Sequence, residues 1–99
     1  ILQSIEENYQ NISLTDIAKS TNQSVYQLSR LIKENTGSTF KDLVQKKRLN
    51  QAAYLLTNTN LTVDDIIYRV GYENTSYFYR IFKRRYKMTP SEFRKKQKI

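Results

Sequence analysis

Arg80 and Lys83 stand close behind Thr75, Ser76 and Tyr79 in the stretch GYENTSYFYRIFKRRYK, residues 71–87. Wound at ~100° per residue, those five side chains share one arc of a helix. Phe78, Ile81, Phe82 and Arg85 fall within an adjacent third of the circumference, and the three apolar members read as a core face. Folding alone asks for no hydroxyls, tyrosine and cations on the other arc. That set suits the base edges of a major groove: arginine can bond guanine through two parallel hydrogen bonds, hydroxyls serve either base, and lysine meets phosphate.

A second copy lies upstream. On residues 25–36, Val25, Tyr26, Ser29, Arg30 and Lys33 turn outward while Leu28, Leu31 and Ile32 turn inward. The copies align in register. SLTDIA (13–18) matches TVDDII (62–67) at an offset of 49, and SVYQLSRLIKENTGSTFKDL (24–43) matches NTSYFYRIFKRRYKMTPSEF (74–93) at an offset of 50, so the second turn holds one extra residue. Arg30 pairs with Arg80, Lys33 with Lys83 and Thr39 with Thr89. Each copy is a short helix, a tight turn and a second helix, which is a helix-turn-helix.

The elements that must position these residues are all helical. Two glycines and one proline are too few for a hairpin-rich sheet, and apolar residues recur every three or four positions. Residues 1–9 make a short amphipathic helix through Ile1, Leu2, Ile5 and Tyr9. Ser13 caps a second helix reaching about Thr21, with Asp16 in its first turn. Ser24 caps a third that ends at Gly37. Thr39 caps a long one over about 40–57, Thr62 a fifth, and Asn74 a sixth over about 75–86. Thr89-Pro90-Ser91-Glu92 is a capping box with proline at the first helical position, opening the seventh. The expected architecture is all-α: a first module over about 1–38, a linker helix over about 40–57 and a second module over about 61–97, in one DNA-binding domain.

Charge and composition restrict the partners. Lys and Arg number 17 against 9 Asp and Glu, a net charge of +8. Residues 1–50 contribute +2 and residues 51–99 contribute +6. Such an excess suits a polyanion. Cysteine and histidine are absent, which excludes disulfides, thiolate or imidazole metal sites and nucleophile–histidine catalysis. Asp16, Asp42, Asp64, Asp65 and Glu92 each fit a first helical turn, where the helix dipole accounts for them. No catalytic residue, metal or cofactor is expected. A membrane-surface role for the tail RKKQKI (94–99) with Phe93 would need a large unpartnered apolar face.

The linker helix sets a distance. About 17 residues at ~1.5 Å each span ~26 Å, and the bulk of the modules would bring two outer faces near the ~34 Å of one duplex turn. Leu49, Ala52, Ala53 and Leu56, widened by Leu43, Val44 and Leu55, can brace the modules. Two recognition helices would then enter successive major grooves of an asymmetric site, because Tyr26 and Ser29 in one copy answer to Ser76 and Tyr79 in the other.

The run DIIYRVGYENTSYFYRIFKRRYKMTPSEFRK (65–95) closely resembles the signature of AraC/XylS-type bacterial transcription regulators. Ile66, Val70, Gly71, Tyr72, Ser76, Tyr77, Phe78, Arg80, Phe82, Lys83, Thr89, Pro90, Phe93 and Arg94 match it, and residues 28–56 are similar to the family's first module and linker. The resemblance implies a homeodomain-like, two-module domain that binds double-stranded DNA in the cytoplasm. It also implies a regulator, most often an activator, that touches RNA polymerase, with an N-terminal effector, dimerisation or receiver domain beyond this segment. By position, Tyr26, Ser29 and Arg30 would read bases from the first module and Thr75, Ser76, Tyr79 and Arg80 from the second. Ser24, Lys33, Asn74 and Lys83 would hold phosphates. Asn22 and Lys87 stand where the family often has glycine; asparagine tolerates a left-handed backbone with a small strain, and Lys87 would carry about 1 kcal/mol of strain if its backbone is left-handed. Gln23 replaces a usually apolar turn residue, which would loosen packing in the first module.

Overall fold

Five of the helices begin where a short polar side chain takes an amide that the first turn leaves unpaired. The computed structural model describes residues 2–97, apart from the side chains of Leu2 and Ser4. Its elements are α1 (Leu2–Asn8), α2 (Leu14–Ser20), α3 (Val25–Thr36), α4 (Phe40–Asn58), α5 (Val63–Arg69), α6 (Thr75–Tyr86) and α7 (Pro90–Gln97). These are the expected seven helices, with no strand among the described residues. Ile1 and the Leu2 side chain, expected on the apolar face of α1, lie outside the described residues, as do Lys98 and Ile99 of the basic tail.

The caps account for these boundaries. The amide of Asp42 donates to Thr39 Oγ1, and that of Asp65 to Thr62 Oγ1, each at 3.1 Å. Tyr77 N–H donates to Asn74 Oδ1 at 3.0 Å. At α7 the Thr89 amide donates to Glu92 Oε1 at 2.9 Å and the Glu92 amide to Thr89 Oγ1 at 3.2 Å, closing the expected box. A second box, not foreseen, opens α3: Gln27 N–H donates to Ser24 Oγ at 3.0 Å, and Ser24 N–H to Gln27 Oε1 at 3.3 Å. Ser13 departs from expectation. It holds the N-cap backbone of α2, but its side chain accepts no capping hydrogen bond.

The chain divides inside α4, between Lys47 and Arg48, into two compact units. The first is centred on buried Ala18, Leu28 and Ile32, with Leu14, Ile17, Phe40 and Leu43 packed around them. Lys47 Nζ lies 2.6 Å from Glu6 Oε2 and 5.6 Å from the Tyr9 ring centre, tying the start of the chain to α4.

The second unit is ordered by aromatic rings. Phe78 and Phe82 are wholly buried, one turn apart on α6 with ring centres 5.6 Å apart. Full burial of such a side chain is worth roughly 1.5–3 kcal/mol. Phe93 of α7 meets Phe82 edge-on at 5.6 Å and Tyr86 at 5.2 Å. That packing holds half-buried Phe93 against the aromatic core of this unit. Leu49, Ala52 and Leu56 of α4 and Ile66, Ile67 and Val70 of the α5 region are also buried in this unit. Arg94 fastens α7 to the end of α4. Its Nε donates to the Leu56 carbonyl at 3.0 Å, and its Nη2 to those of Leu61 at 2.6 Å and Thr59 at 3.4 Å. Those carbonyls belong to the helix end and the loop after it, where no further turn supplies donors.

Candidate nucleic-acid interface

The two turns share one backbone. Asn22 (φ 57) and Gly71 (φ 105) are both left-handed, 49 positions apart. Directly after them, Gln23 N–H donates to the Ala18 carbonyl at 2.9 Å and Tyr72 N–H to the Ile67 carbonyl at 3.1 Å. Glu73 is therefore the extra residue of the second turn, and beyond it the offset becomes 50. Gly37 (φ 77) and Lys87 (φ 65) then close α3 and α6 identically, donating to Lys33 and Lys83 carbonyls at 2.9 and 2.8 Å. Asn22 and Lys87 both take the left-handed backbone, so the condition for strain at Lys87 is met.

On α6 the inward face is as expected, with Phe78, Ile81 and Phe82 all buried. Thr75, Ser76, Tyr79, Arg80 and Lys83 are exposed. Tyr79 leans edge-on against Phe78, ring centres 6.3 Å apart, which steadies the ring while the residue stays exposed. The Arg80 guanidinium lies 5.3 Å from the Tyr77 ring centre, so the cation is steadied without a carboxylate. Arg85, at the edge of the inward arc, donates to Asn50 Oδ1 at 2.9 Å. Behind the face, Tyr72 is buried with Arg48 stacked at 5.0 Å. Burial pushes its phenol pKa above the ordinary value, and the Arg48 charge works against that rise.

On α3 the correspondence is looser. Leu28 and Ile32 are buried, but Leu31 is 39% exposed, whereas its counterpart Ile81 is 4% exposed. In the turns, Tyr72 packs against Tyr77 and Phe78 of α6, ring centres 6.0 and 5.7 Å apart, whereas polar Gln23 is exposed. An open groove of about 480 Å³ has Gln23, Leu28, Leu31 and Ile32 among its walls. Tyr26 (71% exposed) and Arg30 project outward, as expected. Ser29 is only half-exposed, because at ~100° from Arg30 its short side chain sits on the shoulder of the arc. Lys33 is exposed and also donates to the Gly37 carbonyl at 3.2 Å. Ser24 and Asn74, expected to hold phosphates, use their side-chain oxygens as cap acceptors. The Ser24 O–H and the Asn74 amide hydrogens remain as donors.

Sequence reasoning overlooked Glu34. Its carboxylate pairs with Arg30 at 3.4 Å, one turn along α3. The i, i+4 spacing was a legible signal. It also overlooked Arg84, which occupies the place of Glu34 on α6. Among the described residues no group of three or more His, Cys, Asp or Glu could hold a metal ion.

Comparisons with known proteins agree with this geometry. A family model described as a helix-turn-helix domain matches residues 17–96. The transcriptional activator RhaR of Mannheimia succiniciproducens is 35% identical over 85 residues, 86% of this chain and 31% of that protein. Several curated relatives are likewise much longer, the chain spanning about a third of them or less. Among solved structures, the C-terminal domain of AraT, a response regulator from Geobacillus stearothermophilus, superposes with a TM-score of 0.91 at 34% identity, covering 99% of this chain and 83% of that one. A Chromobacterium violaceum transcriptional regulator with an AraC-type DNA-binding domain gives 0.86 at 28% identity, covering 97% and 87%. With a matching family model over most of its length and the same two-module helical fold, the chain belongs to the AraC-type helix-turn-helix family.

Proposed function

We propose that this chain binds double-stranded DNA sequence-specifically and regulates bacterial transcription, chiefly by activation, with α3 and α6 as its two recognition helices. The observation that carries the reading is recurrence: two capped helices, each behind the same left-handed turn, each presenting an exposed arginine with hydroxyl-bearing neighbours. A core needs neither arginine, and a duplex offers partners to both. In the first module Tyr26, Ser29 and Arg30 read bases, and in the second Thr75, Ser76, Tyr79 and Arg80 do so. Ser24, Lys33, Asn74 and Lys83 hold phosphates. The net charge of +8 supplies the sequence-independent attraction.

Because the two faces differ in sequence, the bound site is asymmetric, with two dissimilar half-sites in successive major grooves. The curated relatives are longer, and the chain acts as the DNA-binding part of a regulator whose other region senses an effector, dimerises or receives a signal, and which touches RNA polymerase at the cytoplasmic nucleoid. Selection of bound duplexes from a random pool, followed by footprinting of the winner, tests the central claim. Two unlike half-sites are expected. Equal retention of random and selected duplexes, or a strict inverted repeat, would overturn it.

A further inference from the structure

The two recognition helices are unequal in charge. Helix α3 carries Arg30 and Lys33 against Glu34, a net +1, while α6 carries Arg80, Lys83, Arg84 and Arg85, a net +4. The difference is concentrated beside the reading arginine. Arg30 lies between the Tyr26 ring, 5.9 Å from its centre, and the Glu34 carboxylate at 3.4 Å. Glu34 and Arg30 are about 60% exposed, so a duplex would meet both. Together with Gln23, Gln27 and Leu31 they line an open concavity of about 350 Å³, in which Arg30 is the one cationic wall among the described residues. On α6 the matching arginine carries no carboxylate partner among the described residues, and Arg84 stands where Glu34 would.

We propose that Glu34 is a specificity-determining residue of the first module, keeping Arg30 off the phosphates and accepting a hydrogen bond from the exocyclic amine of cytosine. This rests on the DNA-binding reading above. A carboxylate at a DNA-facing surface is repelled by every phosphate, and so disfavours registers in which α3 rides on the backbone. Among the bases, cytosine N4 is the donor a glutamate edge characteristically meets in the major groove, and Arg30 beside it matches guanine O6 and N7. The pair thus selects G·C at the first half-site. Held by both Tyr26 and Glu34, the guanidinium is also oriented before it meets the duplex, so less side-chain freedom is lost on binding. The division of labour follows. Helix α6 supplies charge-driven affinity, and α3 supplies discrimination with little of it.

The experiment titrates wild type, Glu34→Gln and Arg84→Gln over a range of salt. The duplexes are the selected one, the same one with each G·C pair of the first half-site changed in turn to A·T, and a random one. Glu34→Gln keeps the length and removes the charge. It is expected to bind random duplex several-fold more tightly and to steepen the log–log salt slope by about one unit. Its preference for the selected duplex should fall about tenfold, the scale of one misread base pair. It should also lose discrimination at a single G·C position. Arg84→Gln should flatten the slope and leave the preference intact. The proposal is overturned if Glu34→Gln keeps the wild-type preference and slope, or weakens all duplexes equally. Should wild type itself fail to distinguish selected from random duplex, the DNA-reading assignment falls, and that result is separable from any behaviour of the variant.

Discussion

Lys87 adopts at φ 65 the left-handed conformation that Gly37 adopts at φ 77, fifty positions earlier. Both end a recognition helix by donating to the carbonyl four residues back. Only one has a Cβ to crowd the backbone. Lys87→Gly should therefore stabilise the protein by about 1 kcal/mol, raising the melting temperature by several degrees. A Cβ at Gly37 would meet nothing within 4 Å, so Gly37→Ala should lose a similar amount through backbone conformation alone. Thermal denaturation of the pair checks both, and equal melting points would refute the strain.

Leu31 and Ile81 hold the same place in the repeat at very different exposure. Ile81→Ala should destabilise by about 2–5 kcal/mol as a core cavity. Leu31→Ala should lose under about 1 kcal/mol, since much of that side chain already meets water. Urea unfolding of the two variants measures the difference, and similar losses would contradict the open groove beside Gln23.

Arg94 belongs to the family signature, yet its donors are spent on the Leu56, Thr59 and Leu61 carbonyls. Arg94→Met should cost about 2–3 kcal/mol of stability, because charged hydrogen bonds are lost and half-buried carbonyls are left unpaired. DNA affinity of the folded fraction should be unchanged. A variant with normal melting and weakened DNA binding would make Arg94 a DNA contact instead.

Arg80 and Lys83 share the exposed arc of α6 but are assigned different work. Arg80→Ala should lose about 1–3 kcal/mol on the selected duplex and relax preference at one base. Lys83→Ala should weaken selected and random duplexes alike and flatten the salt slope by about one unit. Fluorescence anisotropy across salt separates the two patterns, and matching behaviour would dissolve the distinction.

Hydrogen bonds from the Thr89 amide and side chain hold the Glu92 carboxyl below its ordinary pKa of 4.5. A depressed folded value means that the box stabilises α7 fully above that pH and loses its contribution as pH falls through the lower, folded value. Protection of the Thr89 and Glu92 amides, their exchange corrected for its intrinsic pH dependence, should fall on acidification below about pH 4.5. Glu92→Gln should remove that dependence, and an unchanged acid response in the variant would rule out the carboxylate as its source.

Helix positions were legible because their causes are local. Ser24, Thr39, Thr62, Asn74 and Thr89 each reach an amide three residues along, so identity and spacing suffice. The duplication was legible for the same reason: both left-handed closures and both turns bond their amides to carbonyls four or five residues back. The inward face of α6 followed from helical period alone, as did the outward set around Arg80.

What tertiary structure alone decided depends on residues far apart in the chain. Period placed Leu31 and Ile81 alike, yet Leu31 is 39% exposed and Ile81 4%, because exposure is settled by what comes to lie beside a face. Signature matching named Arg94 without saying which groups it holds, since its acceptors lie 33 to 38 positions away. Periodicity knows the direction of a side chain from its own axis; only the packed chain determines what stands in that direction.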